Sequence, residues 1–383
     1  MQQIFLIRFN EIFLKSSGVA KNFLKILKTN IYYGLKANNI KGHINTTNSR
    51  IYLSKFDIQD VSKIQDVLKN IFGIESFSLA YQLETIDQEK IFDFVKQNYS
   101  KYILSSNTFK IKAKCINTPY HTKDIEIKLA DIFDAKVDLT NPEKTIYIEA
   151  RNKTTFVFTE IISGLSGLPV GSAGKNLVLI SGGIDSPLAS FLTLKRGCYN
   201  IYLHFHSFPY VSKTSINKVK EILQIIKKYQ NDIKLYLFPF AEIQKYIKAN
   251  TEAKYRIVLY RRSMMRIASI LAKELKCKAV TTGEALAQVS SQTLDNMSVI
   301  DDALSILTLR PLVGFNKNEI INLAKQIGTL DISNEPQEDT CTLFTPKHPN
   351  ASTCLRDIKK IENEINIEEF EVKLIDKIET INI

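Results

Sequence analysis

No run of about 18 apolar residues occurs anywhere in the 383-residue chain, so no membrane-spanning helix and no membrane partner are expected. The opening, MQQIFLIRFNEIFLK, has no basic leader and no small-residue cleavage site, and Glu11 closely follows its apolar stretch. It reads as a first strand, not a signal peptide. Cysteine is sparse. The five cysteines (Cys115, Cys198, Cys277, Cys341 and Cys354) are an odd number without framework spacing, which argues against a disulfide scaffold and for a reducing, cytoplasmic compartment. With no Cys-x-x-Cys pair, neither a structural zinc nor an iron–sulfur cluster has support, and no residue is assigned as a metal ligand. Also missing are the GKS or GKT that closes a Walker loop and the GxGxxG of a dinucleotide fold.

What remains is a folded chain of ordinary composition, 44% apolar and 24% charged, long enough for two or three domains. Its net charge is +11, which suits a polyanionic partner bound through phosphate neutralisation. A general excess of Lys, Ile and Asn would give the same sum, so charge alone leaves nucleic acid open.

The first segments alternate as strand, helix, strand, strand, helix, strand, ending in IESFSLAYQL; this is a ferredoxin-like rhythm in an α+β unit. In TFKIKAKCIN, Lys110, Lys112 and Lys114 fall on one face of a strand, with Phe109, Ile111 and Ala113 on the other. A Gly/Ser/Pro cluster at 163–175 marks a linker. Beyond it, apolar strands such as LVLI and KAVTT alternate with helices, as in a doubly wound α/β domain with a parallel sheet.

The chemistry concentrates in Ser181-Gly182-Gly183-Ile184-Asp185-Ser186, between a buried strand and a helix expected to start at Pro187 with Ser186 as its cap. Gly182 and Gly183 let the backbone turn and approach an anion, and the helix start offers free N–H groups. A pyrophosphate suits that cradle, with the Ser181 and Ser186 hydroxyls as further donors. Asp185 beside phosphates makes sense chiefly through Mg²⁺.

This hexapeptide resembles the PP-loop of the N-type ATP pyrophosphatases, which split ATP to AMP and pyrophosphate through an adenylated intermediate. The ferredoxin-like start, GLPVG, KNLVLISGGIDSP, HFHSFPY, YRRSMMRIA, TTGEALAQVSSQTLDNM, RPLVGFNKNEIINLAKQIGT and DTCTLFTPKHP, in that order, resemble the tRNA 4-thiouridine synthetase (tRNA sulfurtransferase) family. The resemblance implies a ferredoxin-like domain over 1–60, a tRNA-binding THUMP domain over 61–165 and a PP-loop domain over 166–383. It implies that Leu179, Ile180, His204, Phe205, Arg261, Gly283 and Gln292 lie against the adenylate, that Lys317 serves adenylation, and that Cys341 handles sulfur. Cys354 is the candidate to resolve a persulfide. The chain ends at Ile383 after a charged helical stretch, without the rhodanese domain of some members, so a separate donor such as a cysteine desulfurase is expected. A homodimer is the assembly implied, and ATP with Mg²⁺ the cofactors. Two alternatives stay open: another PP-loop tRNA-modifying ligase, and a tRNA-binding protein without catalysis. If the basic surface meets RNA, affinity for tRNA measured by filter binding falls roughly tenfold or more between about 50 and 200 mM salt.

Overall fold

In the computed structural model, which describes residues 2–47, 49–210, 212–336 and 350–383, the chain forms two compact units, Met1–Gly167 and Leu168–Ile383. The first unit opens with β1 (Gln2–Arg8), whose residues are apolar on both faces. Phe5 and Ile7 enter one core, while Ile4 and Leu6 enter another on the opposite side of the sheet. After β1 come α1 (Ser17–Ala37), β2 (His43–Thr46), β3 (Ile51–Ser54), α2 (Val61–Lys69) and β4 (Ser76–Leu83). The strands pair antiparallel in the order β2-β3-β1-β4, the ferredoxin-like arrangement read from the sequence. Leu27 and Ile31 of α1 and Ile64 and Leu68 of α2 cover one face, so that core runs from Phe5 to Phe77.

The same sheet continues. α3 (Gln88–Tyr99) is capped by Asp87, whose carboxylate accepts from the Glu89 and Lys90 amides. β5 (Thr108–Ile116), α4 (Thr122–Ala130), β6 (Lys136–Val137), β7 (Lys144–Arg151), β8 (Thr154–Phe158) and β9 (Ile162–Ser163) complete the unit. β8 pairs with β4, giving one path β2-β3-β1-β4-β8-β7-β5-β6. Along β5 the alternation holds: Phe109 and Ile111 are buried in the second core, whereas Lys112 and Lys114 are exposed.

In the second unit, β10 (Gly174–Leu179), α5 (Asp185–Lys195), β11 (Cys198–His206), α6 (Thr214–Ile226), β12 (Lys234–Pro239), α7 (Ala241–Asn250) and α8 (Arg256–Glu274) lead into β13 (Ala279–Thr281), α9 (Leu294–Asp301) and β14 (Leu307–Leu309). These five strands are parallel in the order β14-β13-β10-β11-β12. α10 (Lys317–Ile327), α11 (Leu330–Asn334), α12 (Leu355–Glu364), α13 (Ile367–Val372) and β15 (Glu379–Asn382) follow. One expectation is corrected here. The charged tail is not helical to its end, because β15 pairs antiparallel with β12 and closes that sheet edge.

Apolar packing alone does not seat α5. Asn176 on β10 donates to Asn200 on β11 (2.9 Å) and accepts from Thr281 on β13 (3.0 Å). Asn200 donates in turn to the Ser190 carbonyl and Thr193 hydroxyl of α5, each at 3.0 Å. Every one of these residues is at most 4% exposed, so the network carries directional bonds where a slip would leave polar groups dry.

α8 is held by charge. Arg262 grips Glu362 of α12 through two bonds (2.9 and 2.8 Å), and Arg266 bridges Glu362 (2.6 Å) and Glu371 of α13. Burial alone would push the Glu362 carboxyl up, but the Arg262 hydrogen bonds and the two guanidinium charges outweigh it and hold the carboxyl below its ordinary value. Glu362→Gln leaves two buried guanidiniums under-compensated and is expected to cost about 3 kcal/mol in urea unfolding. Because the folded-state value is depressed, the pair's contribution is present above about pH 4.5 and lost as pH falls below it; the variant shows a shallower acid slope there.

Candidate functional site

β10 delivers the chain to the crevice at the carboxyl edge of the parallel sheet, where open α/β sheets place ligands. The Ile180 amide donates to the Leu203 carbonyl (2.9 Å), and His204 Nδ1 lies 2.9 Å from the Ile180 carbonyl oxygen. Leu179, Ile180, His204 and Phe205 thus sit together at the ends of two neighbouring strands. The Phe205 ring is only 7% exposed and packs edge-on against Phe238 and Phe240.

The loop is then closed by its own serines. The Ser181 amide donates to Ser186 Oγ (2.9 Å), the two hydroxyls lie 3.1 Å apart, and the Gly183 amide donates to Ser181 Oγ (3.3 Å). This corrects the capping expectation: α5 begins at Asp185, so Ser186 is its second residue, and its hydroxyl turns back to tie the loop instead of capping the helix. The helix starts earlier because Asp185 favours its positive end.

Gly283 fixes how closely this loop is approached. A Cβ there would stand 2.7 Å from the Ser186 amide nitrogen and 2.8 Å from its Cα, backbone atoms that cannot rotate away. At Gly183 a Cβ would meet only Ser181 Oγ, at 3.5 Å, which is ordinary contact. Gly283 is therefore required by the fold, whereas Gly183 leaves open the space an anion would use.

Lys317 opens α10, and its Nζ donates to Asp185 Oδ1 at 3.4 Å across 132 positions of sequence. The start of α10 is held by a capping box, in which Asn316 accepts from the Glu319 amide and Glu319 accepts from the Asn316 amide. The N-termini of α5 and α10 therefore meet at this ion pair. A lysine at a helix start is electrostatically unfavourable by itself; Asp185 is its partner here, and both helix ends favour negative charge.

Gln292 lies in a short helical turn before α9, 7% exposed, and its Oε1 is buried with no partner among the described residues. Arg261 is half-buried on α8, one position before the anchored Arg262. Cys341 lies outside the described residues. Cys354 is exposed directly before α12, while burial pushes the Cys115, Cys198 and Cys277 thiols up, Cys277 to about 11, leaving poor nucleophiles.

Three supporting groups carried no sequence signal. Ser333 of α11 donates to the Gly183 carbonyl (3.4 Å). Lys218 of α6, 3% exposed, donates to the Ser333 and Glu335 carbonyls at 2.9 and 2.7 Å. Glu284, next to Gly283 and 2% exposed, accepts from Thr282 (2.9 Å) and from Arg310 (2.8 Å). Each is a polar residue in an ordinary polar slot of its element, and only folding shows that Lys218 and Glu284 are buried and Ser333 half-buried against the loop.

Comparison with known proteins covers the whole chain. The thiamine biosynthesis protein (ThiI) family matches residues 171–367, its ferredoxin-like domain residues 4–78, and the THUMP domain residues 86–160. A protein of Metamycoplasma arthritidis named probable tRNA sulfurtransferase is 37% identical over 380 residues, covering 96% of this chain and 94% of its own. Its namesake in Halothermothrix orenii is 38% identical over 385 residues, covering 96% and 95%. A crystal structure of a 4-thiouridine synthetase–RNA complex with bound ATP superposes with a TM-score of 0.88 at 31% identity, over 100% of both chains. The close approach at the loop predicts that Gly283→Ala loses about 2 kcal/mol or more, as overpacking against backbone does, while Gly183→Ala unfolds like the parent in the same thermal melt.

Proposed function

The chain belongs to the ThiI family of tRNA sulfurtransferases, and from that membership we propose how its site converts a tRNA uridine, the one at position eight, to 4-thiouridine. The observation that carries the reading is the serine-closed loop with Asp185 and Lys317 joined across it and Gly283 packed beneath. A uridine O4 is a poor leaving group. Its attack on the α-phosphate of ATP gives an O4-adenylated base and releases pyrophosphate; a sulfur nucleophile then attacks C4, and AMP leaves.

This chain's residues serve the first step. The amides of Gly182 and Gly183 and the start of α5 cradle the departing pyrophosphate, and Lys317 stabilises the charge it gains. The free face at Gly183 and the orphaned Gln292 Oε1 suit a nucleotide, the latter as an acceptor for the adenine amino group or a ribose hydroxyl. Strand-end backbone at Leu179, Ile180, His204 and Phe205 borders the base, and Arg261 meets phosphate as a fixed charge. One carboxylate together with substrate phosphates is a common Mg²⁺ donor set, and Asp185 would hold that ion, which supplies charge neutralisation.

Sulfur transfer falls to Cys341, fed by a cysteine desulfurase: the outer sulfur of its persulfide attacks C4 as AMP leaves, giving a Cys341–S–S–C4 disulfide. Cys354 then attacks Cys341 Sγ, releasing 4-thiouridine and leaving a Cys341–Cys354 disulfide that an external thiol reductant reopens for the next turnover. With free sulfide the substitution needs no reductant. The enzyme works as a cytoplasmic homodimer. Asp185→Ala is expected to lower tRNA-dependent pyrophosphate release at least ~10³-fold and Lys317→Gln about 10²- to 10³-fold, as lost transition-state contacts do. Cys341→Ser keeps pyrophosphate release while mass analysis of the tRNA finds no 4-thiouridine with the desulfurase as donor. Full thiolation by that variant with that donor refutes the relay.

A further inference from the structure

Among the described residues of the second unit, Phe208 and Tyr210 are the only exposed aromatic side chains, 41% and 50% open. All other described aromatics there are buried or half-buried. They stand on the turn that leaves β11 directly after His204, Phe205 and His206, at the sheet's carboxyl edge. That turn is firmly built. Ser207, fully buried, donates to Gln244 Oε1 of α7 (2.6 Å), and the Tyr210 amide donates to the Ser207 carbonyl (2.8 Å). A buried hydrogen bond thus holds a turn whose rings point away from the core, although burial would stabilise them.

Each ring carries a cation. Lys213 Nζ lies 4.9 Å from the Phe208 centroid, and Lys245 Nζ, exposed on α7, lies 3.7 Å from the Tyr210 centroid and donates to its hydroxyl. Exposed aromatic faces interleaved with ammonium groups are the chemistry that holds unpaired nucleic acid: the ring stacks on a base of any identity and the lysine neutralises the neighbouring phosphate. An enzyme that works at C4 of a uridine also needs the surrounding strand unstacked, since that edge is hidden in a paired helix.

We propose that Phe208, Tyr210, Lys213 and Lys245 form a stacking platform for an unstacked base of the substrate tRNA, beside the nucleotide-binding strand ends. The proposal deepens the thiolation reading and rests on it. One base on one ring is worth roughly a five- to 150-fold in affinity, which sets the scale of the test.

Phe208→Ala and Tyr210→Ala are each expected to raise the KM for tRNA, and the Kd in filter binding, about tenfold. The KM for ATP should stay within about twofold, because the adenine-bordering residues are untouched, and Phe208→Tyr should restore tRNA affinity because it keeps the ring. Unchanged tRNA affinity in both alanine variants overturns the platform, as does a rise in the KM for ATP alone. An effect seen only with the desulfurase and absent with free sulfide also overturns it and assigns the rings to a protein partner. Wild-type protein that forms no 4-thiouridine refutes the thiolation reading instead, and the filter-binding arm then still decides whether the rings hold RNA.

Discussion

The backbone of Gly283 runs against the first turn of α5 with no room for a side chain. That approach fixes the end of β13 relative to the end of β10, and with them the position of the loop between β10 and α5. Gln292 and Glu284 follow Gly283 along the chain, so their placement depends on the same contact. α5 has little freedom to adjust, because Asn200 bonds its Ser190 and Thr193 from beneath. A loop built on two glycines is thereby held by neighbours that are closely packed and hydrogen-bonded.

Charge is used twice in the second unit, for different ends. At the loop, Asp185 and Lys317 are both partly exposed, with side chains 27% and 48% open, so each can exchange its partner for a ligand at little desolvation cost. Behind it, Arg262, Arg266, Glu362 and Glu371 are almost dry and multiply bonded, so they cannot exchange. The first pair is available for chemistry. The second fastens α12 and α13 to the helix that presents Arg261, which explains why a strongly charged terminal segment folds onto the unit instead of remaining in solvent. Lys218 belongs with the second kind, capping carbonyls next to the loop from inside the fold.

Much of this was legible in the residues. The glycines, the acidic residue and the following proline gave the loop a physical meaning, and the Gly/Ser/Pro cluster followed by apolar strands alternating with helices separated the ferredoxin-like start from the doubly wound half. The strand-end residues came from the resemblance of successive segments to the sulfurtransferase family, not from any local pattern. The boundary of α5 was missed because a serine before a proline reads as a cap, while its hydroxyl had a nearer partner in Ser181. β15 was missed because its neighbours are charged and helical, and a short edge strand takes its pairing from β12, not from its own propensity. Glu362 and Lys218 look like solvent-facing residues of amphipathic helices; burial is a property of the partner surface, which no local pattern encodes.

β4 links the two halves of the first unit, pairing with β1 along most of its length and with β8 at its far end. The ferredoxin-like match ends at residue 78, inside that strand, and the THUMP match begins at 86, just past it. A recombination event between the two would therefore unpair the β4–β8 junction and leave a strand edge open on each half, an aggregation hazard. The pair is physically inclined to be inherited as one block, and an engineer grafting the THUMP half elsewhere would need to carry β4 along with it.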